Sequence, residues 1–200
     1  MTPTTIAMVV EGQGEVAALP VLVRRMAAEL APGSWVDLPR PYRVNRGTLV
    51  GAGGLETVVA AVAEQVGPAG GVLIMIDADD DCPAELGPRL LGRARAVCPG
   101  LAVSVVLANR EFEAWFLAAA PSLSGERGLA QGLECPVDVE KPRHCKGWLS
   151  AHRTDGRSYK PVSDQAALAA LVNLRMARKY SPSFDKFWRD VGHLLTGEEQ

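Results

Sequence analysis

The chain has 200 residues, 48% hydrophobic and 22% charged, with 21 lysines and arginines against 23 aspartates and glutamates and a formal net charge of -2. That content can bury a sizeable core in one domain, or one and a half, and excludes a disordered chain. The near-neutral balance excludes both the broad positive field of a typical DNA-binding domain and an acidic tail, so any contact with phosphate has to be local or metal-mediated.

In chain order, residues 6–10 form an apolar run with no basic region before it, and no stretch approaches about eighteen apolar residues. Neither export nor membrane spanning is expected, and the expected location is the cytoplasm. Val16, Leu19, Val23, Met26 and Leu30 then recur at helical spacing, with Pro20 near enough to the start to be tolerated. A weak strand is expected within residues 35–44. Gly51, Gly53 and Gly54 lead into a second helix with Leu55, Val58, Val59, Val62 and Val66 on one stripe.

Residues 72–76 are consecutively apolar, as in a strand of a parallel sheet buried on both faces. Pro83 opens a third helix with Leu86, Leu90, Ala94 and Val97 inward, followed by a strand over 101–107 and a helix carrying Phe112, Trp115, Phe116 and Ala119. The alternation predicts an α/β fold with a mainly parallel sheet flanked by helices over residues 1–120. Residues 121–200 read as a less regular helical extension packed on that core: 121–158 is rich in Gly, Pro, Cys and basic residues, 164–179 is helical, and the tail holds Phe184, Phe187 and Trp188.

Cys82, Cys98, Cys135 and Cys145 show no CxxC spacing and read as buried thiols. A zinc site from Cys135, His144 and Cys145 is disfavoured, because adjacent ligands are awkward for a tetrahedron and no fourth ligand is evident.

Two acidic clusters stand at the carboxyl ends of predicted strands, where ligands bind in open α/β sheets. Glu11 and Glu15 lie in VVEGQGEV after the first; Asp77, Asp79 and Asp81 lie in IDADDD after the third. If the chain stays extended, alternate aspartates face one space. Carboxylates so gathered repel, and a hard divalent cation removes that penalty; all-oxygen ligands suit Mg²⁺ or Mn²⁺. The cluster is no EF-hand, with Cys82 at the glycine position and Pro88 at the final glutamate, and no Walker A motif exists to pair with it. Glu111 and Glu113 flank the aromatic stripe, and Glu113 is a further candidate ligand. The basic stretch AHRTDGRSYK, residues 151–160, suits phosphate contact.

With V-E-G-Q-G-E and I-D-A-D-D-D the chain resembles the Toprim fold shared by topoisomerases, primases, small ribonucleases and the OLD (overcoming lysogenization defect) nucleases. With A-N-R-E-F-E-A-W-F-L-A at 108–118 and Y-K at 159–160 it is similar to the Toprim-like DUF4276 family. The resemblance covers residues 6–120 well and the last third loosely. It implies Glu11 as general acid/base or metal ligand, Glu15, Asp77 and Asp79 as metal ligands, and a late lysine, Lys160, as catalytic charge stabiliser. Gly14 departs from the threonine that many OLD-like members carry. The expectation is a Mg-dependent phosphodiesterase or nuclease acting on nucleic acid, in a defence or repair setting. The alternatives are a non-catalytic metal- or nucleotide-binding module docked to a separate ATPase partner, and a small-molecule phosphotransfer enzyme.

Overall fold

The computed structural model describes residues 4–67, 70–141 and 144–197. Its first half contains β1 (Thr4–Val10), α1 (Glu15–Leu30), β2 (Val36–Asp37), β3 (Tyr42–Arg43), α2 (Arg46–Val50), α3 (Gly54–Ala63), β4 (Gly71–Asp77), α4 (Pro83–Val97) and β5 (Ala102–Ala108). The remainder is helical: α5 (Ala114–Ala118), a 3₁₀ turn, α6 (Cys145–Ala151), α7 (Pro161–Leu171), α8 (Leu174–Tyr180) and α9 (Pro182–Thr196).

The five strands form one parallel sheet, in the order β2-β1-β4-β5, with β3 beside the end of β1. The period of two along each strand divides the core. Ile6, Met8, Val10, Leu73 and Met75 face α1 and α9, whereas Ala7, Val9, Val72, Ile74 and Ile76 face α3 and α4. Both faces are covered, which is why β1 and β4 read as continuous apolar runs. The cluster on the α1 face contains residues from both halves of the chain, from Ile6 to Leu194.

Five expectations change in detail. Of the four cysteines expected as buried thiols only Cys145 is buried, Cys82 being exposed and Cys98 and Cys135 half-buried. The weak strand over 35–44 survives only as the two-residue pieces β2 and β3, with Pro39 and Pro41, which cannot donate to a ladder, between them. The helix expected to carry Phe112 begins only at Ala114, after a tight turn in which Arg110 has φ +68°. The helix over 164–179 is two, because the Asn173 side chain accepts from the Met176 amide and starts α8 afresh. The tail is a full helix: Ser181 caps the Phe184 amide at 3.1 Å, Pro182 sits in the first turn, and Gly197 ends α9 left-handed. α9 packs its apolar face on β5 and α1, and Phe187 stacks on Trp115 at 5.0 Å between ring centres. Trp115 is thus a core residue, and its indole N–H donates to Ser183 Oγ at 2.8 Å.

Candidate functional site

Parallel pairing brings the carboxyl ends of β1, β4 and β5 to one edge. Glu11 follows β1, Asp77 closes β4, and Glu113 lies in the turn after β5. Asp77 is on the same alternation as Leu73 and Met75, hence on the α1 face, where the first helix begins with Glu15.

The glycines of E-G-x-G-E have separate causes. The Glu15 carboxylate folds back over the loop and accepts from the amides of Gly12 at 2.8 Å and Glu11 at 3.2 Å. A Cβ at residue 12 would lie 2.7 Å from Glu15 Oε1. Gly14 is buried under the start of α7, and a Cβ there would stand 2.7 Å from the Pro161 carbonyl and 2.2 Å from Gln165 Oε1. A threonine at residue 14 would therefore push α7 away, which explains the departure noted in the sequence.

Glu15, Asp77 and Glu113 form the inner part of the site. Glu113 is fully buried, and its Oε1 accepts from Tyr159 Oη at 3.0 Å and Gln165 Nε2 at 3.3 Å. Asp77 Oδ1 accepts from the Phe112 amide at 2.7 Å, tying the turn after β5 to the end of β4. Among the described residues Lys146 reaches this group, its Nζ lying 3.1 Å from Glu113 Oε2 and 3.2 Å from Glu111 Oε2. Burial raises the pKa of all three inner acids, and repulsion adds to it for Glu15 and Asp77. Glu15 is raised to about 7 by burial, then by Glu113 and Glu11; Asp77 lies well above the usual range through burial, then through Glu15 and Glu113. Glu113 is raised by burial although Lys146 pulls it down. For Lys146 burial acts downward, but Glu113, Asp77 and Glu111 outweigh it and hold the ammonium above its ordinary value.

Glu11, Asp79 and Asp81 form the outer part. The chain does not stay extended past Asp77, because Asp79 adopts φ +50°, so the alternation expected of DADDD is broken. Asp79 and Asp81 are exposed and share Arg46, whose Nε lies 3.3 Å from Asp79 Oδ2 and whose Nη2 contacts Asp81 Oδ2. Asp80 pairs with Arg110 at 3.0 Å. Glu11 is half-buried, and its pKa is raised by burial and by Asp79. Among the described residues, two buried carboxylate oxygens, Glu11 Oε2 and Glu113 Oε2, have no hydrogen-bond partner, the latter lying 3.1 Å from Lys146 Nζ as an ion pair.

Of the six carboxylates named from the sequence, Glu11, Glu15, Asp77 and Glu113 act on one another through their charges, Asp79 acts on Glu11, and Asp81 is tied to Asp79 only through Arg46. Lys160 is exposed at the start of α7, and its amide donates to Asp164 at 2.8 Å; no ion pair from its side chain to these carboxylates occurs among the described residues. Of the Y-K pair it is Tyr159 that reaches Glu113. Lys146 was missed, since it lies in the irregular stretch where no periodicity points inward. The AHRTDGRSYK stretch is partly committed to structure: Arg153 is clamped by Asp155 and Asp164, and His152 stacks on Trp148 at 3.8 Å. The Cys145 thiol is buried and its pKa pushed up to about 12, first by burial and then by Glu111 and Glu113, which opposes zinc ligation. Among the described residues no group of three or more His, Cys, Asp or Glu side chains stands ready to hold a metal ion as placed, and no helix is long and apolar enough to cross a membrane.

The fold and site together define a parallel α/β protein with a buried carboxylate cluster at the carboxyl edge of its sheet. The chain belongs to the DUF4276 family, a domain of unknown function whose model matches residues 10–192. Comparison with curated proteins and with solved structures gives no match.

Proposed function

We propose that the chain is a Mg²⁺- or Mn²⁺-dependent phosphodiesterase of Toprim type that cleaves nucleic acid, in a defence or repair setting in the cytoplasm. The observation that carries this reading is the gathering of Glu11, Glu15, Asp77 and Glu113 at one sheet edge with raised pKa values and, among the described residues, two buried carboxylate oxygens left without hydrogen bonds. The positions of V-E-G-Q-G-E and I-D-A-D-D-D after β1 and β4 agree with the Toprim resemblance.

Donor chemistry and the orphaned oxygens fit a hard divalent cation. Glu11 and Asp77 would hold it, with the free edges of Glu15 and Glu113 beside them; Asp79 would join after leaving Arg46, and Asp81 likewise. Rotation of Glu11 or Asp79 is needed to complete the set. Such a cation would polarise a phosphoryl oxygen and lower the pKa of a bound water. Of the four gathered acids, Glu11 is the least buried and is the candidate proton acceptor, and Lys146 offers positive charge to an anion arriving over Glu113.

A second reading has its own observation: Arg46 and Arg110 already neutralise Asp79, Asp80 and Asp81, as in a non-catalytic module docked to a partner such as an ATPase. Both are tested together. Mn²⁺ should raise the melting temperature of the wild type but not of Glu11→Ala/Asp77→Asn, as a ligand of the native state must. Labelled single-stranded and duplex oligonucleotides should be cut by the wild type and left whole by Glu11→Ala. Equal cleavage by both proteins would remove the carboxylates from the mechanism and leave the docking reading in front.

A further inference from the structure

Glu113 uses its two oxygens differently. Oε1 is fixed by protein donors, accepting from Tyr159 Oη at 3.0 Å and Gln165 Nε2 at 3.3 Å. Among the described residues Oε2 is buried without a hydrogen-bond partner and lies 3.1 Å from Lys146 Nζ. The first oxygen therefore holds the carboxylate in place whatever happens at the second, and the second is met by charge alone. Asp77 and Glu15 are also tied to backbone, Asp77 Oδ1 by the Phe112 amide at 2.7 Å and Glu15 Oε2 by the Gly12 amide at 2.8 Å.

Lys146 makes a contact of the opposite kind, one that can be released. It stands in the first turn of α6, and its side chain is 44% exposed against 0% for Glu113. Its ammonium has a second carboxylate within reach, Glu111 Oε2 at 3.2 Å. Glu111 is itself held, its Oε1 accepting from the His144 amide at 2.9 Å, and its side chain is open to water where that of Glu113 is not. Rotation of the lysine stem can thus carry the ammonium from Glu113 to Glu111 while the backbone of α6 stays where it is. The charge of Lys146 also acts on Glu11 and Asp77. The tethered cation balances the same carboxylates that a divalent ion would join, and the two repel each other.

We infer that Lys146 is the resident occupant of the cation position, a built-in competitor that a divalent ion must drive off Glu113 and onto Glu111 before the site is loaded. This rests on the metal reading of the site and adds its regulation. A divalent ion carries twice the charge of the ammonium and gathers several oxygens at once, which allows it to displace the lysine once its free concentration is high enough.

The test is calorimetric titration of the metal-free full chain with Mg²⁺ at pH 8, wild type beside Lys146→Gln and Lys146→Arg. Lys146→Gln removes the competing charge and keeps a donor for Glu111, and it should bind Mg²⁺ about tenfold more tightly than wild type. Lys146→Arg keeps the charge and should stay within about threefold of wild type. A second measurement follows the lysine itself. In nitrogen-edited NMR spectra of lysine ammonium groups, the Lys146 signal, assigned by its absence from Lys146→Arg, should move when Mg²⁺ is added to the wild type. Tighter binding in the neutral variant alone, or binding by Lys146→Gln where the wild type shows none, upholds the inference. Wild-type binding that is unchanged or weakened in Lys146→Gln overturns it and leaves the metal reading standing, with Lys146 a supporting counter-ion. Absence of binding by both proteins sinks the two together. If circular dichroism shows Lys146→Gln to be unfolded, the spectra decide alone, and a Lys146 signal that stays in place at saturating Mg²⁺ overturns the inference.

Discussion

On the inner side of the IDADDD turn, Asp77 is pinned by the Phe112 amide among Glu15 and Glu113, with Lys146 beside Glu113; on the outer side, Asp79 and Asp81 stand in water and share Arg46. The same residue type, two positions apart, carries a strongly raised pKa in the first place and a screened surface ion pair in the second. The difference lies in solvation. Burial makes each inner charge costly and leaves repulsion unscreened, whereas water answers most of the charge on the outer pair.

The broadest way to break this comparison is pH. A carboxylic acid that holds its proton more tightly folded than unfolded stabilises the fold below the unfolded pKa, and that stabilisation is lost as the pH rises through the folded value. For Glu15 the window runs from the usual 4.5 to about 7, and at 1.36 kcal/mol per pH unit the change is about 3 kcal/mol. Asp77 and Glu113 act in the same direction. Glu56 and Asp155, held below the usual carboxylate range by Arg93 and Arg153, lose their contributions only at pH values beneath that window. Chemical denaturation without metal should therefore show clearly higher stability at pH 5 than at pH 8, with much of the difference removed by Mn²⁺. A flat profile would place the inner carboxylates in an environment as wet as the outer ones.

Lys146→Met sharpens the contrast by removing the inner cation. Breaking a buried pair costs several kcal/mol, and because Lys146 is 44% exposed the expected loss is about 2–3 kcal/mol at pH 8. It should shrink at pH 5, where the acids carry their protons. Lys160→Met, at an exposed position, should change stability by less than about 0.5 kcal/mol.

The smallest effects compare the aspartates directly. Asp77→Asn keeps an oxygen for the Phe112 amide while removing a buried charge, and should raise metal-free stability at pH 8 by about 1–2 kcal/mol. Asp79→Asn should lie within about 0.5 kcal/mol of wild type, as for other exposed ion pairs. Equal shifts for the two substitutions would remove the distinction between inner and outer parts.

What was legible in the sequence follows from these physical causes. Strands buried on both faces announce themselves as apolar runs, so β1, β4 and β5, their parallel pairing and the edge carrying Glu11, Glu15 and Asp77 could all be read. The aspartates after Asp77 could not be oriented, because their direction depends on the left-handed turn at Asp79, which no alternation rule foresees. Lys146 was hidden for another reason: α6 has seven residues in a segment rich in Gly and Pro, and its lysine faces inward only because distant carboxylates await it. α9 was overlooked as a helix although Ser181, Pro182 and the spacing of Phe184, Phe187, Trp188 and Val191 all announce one.

The position of Lys146 has a consequence for the order in which the chain is made. A ribosome releases β1, β4 and β5 with their carboxylates well before it releases α6 and the Tyr159 and Gln165 side chains that seat Glu113. During that interval the nascent sheet edge carries negative charge without its internal counter-ion, and protons or free divalent cations from the surroundings must hold it. The finished protein thus receives Lys146, and after it Tyr159 and Gln165, only once the sheet edge has been made, so completion of the site waits for α6 and α7.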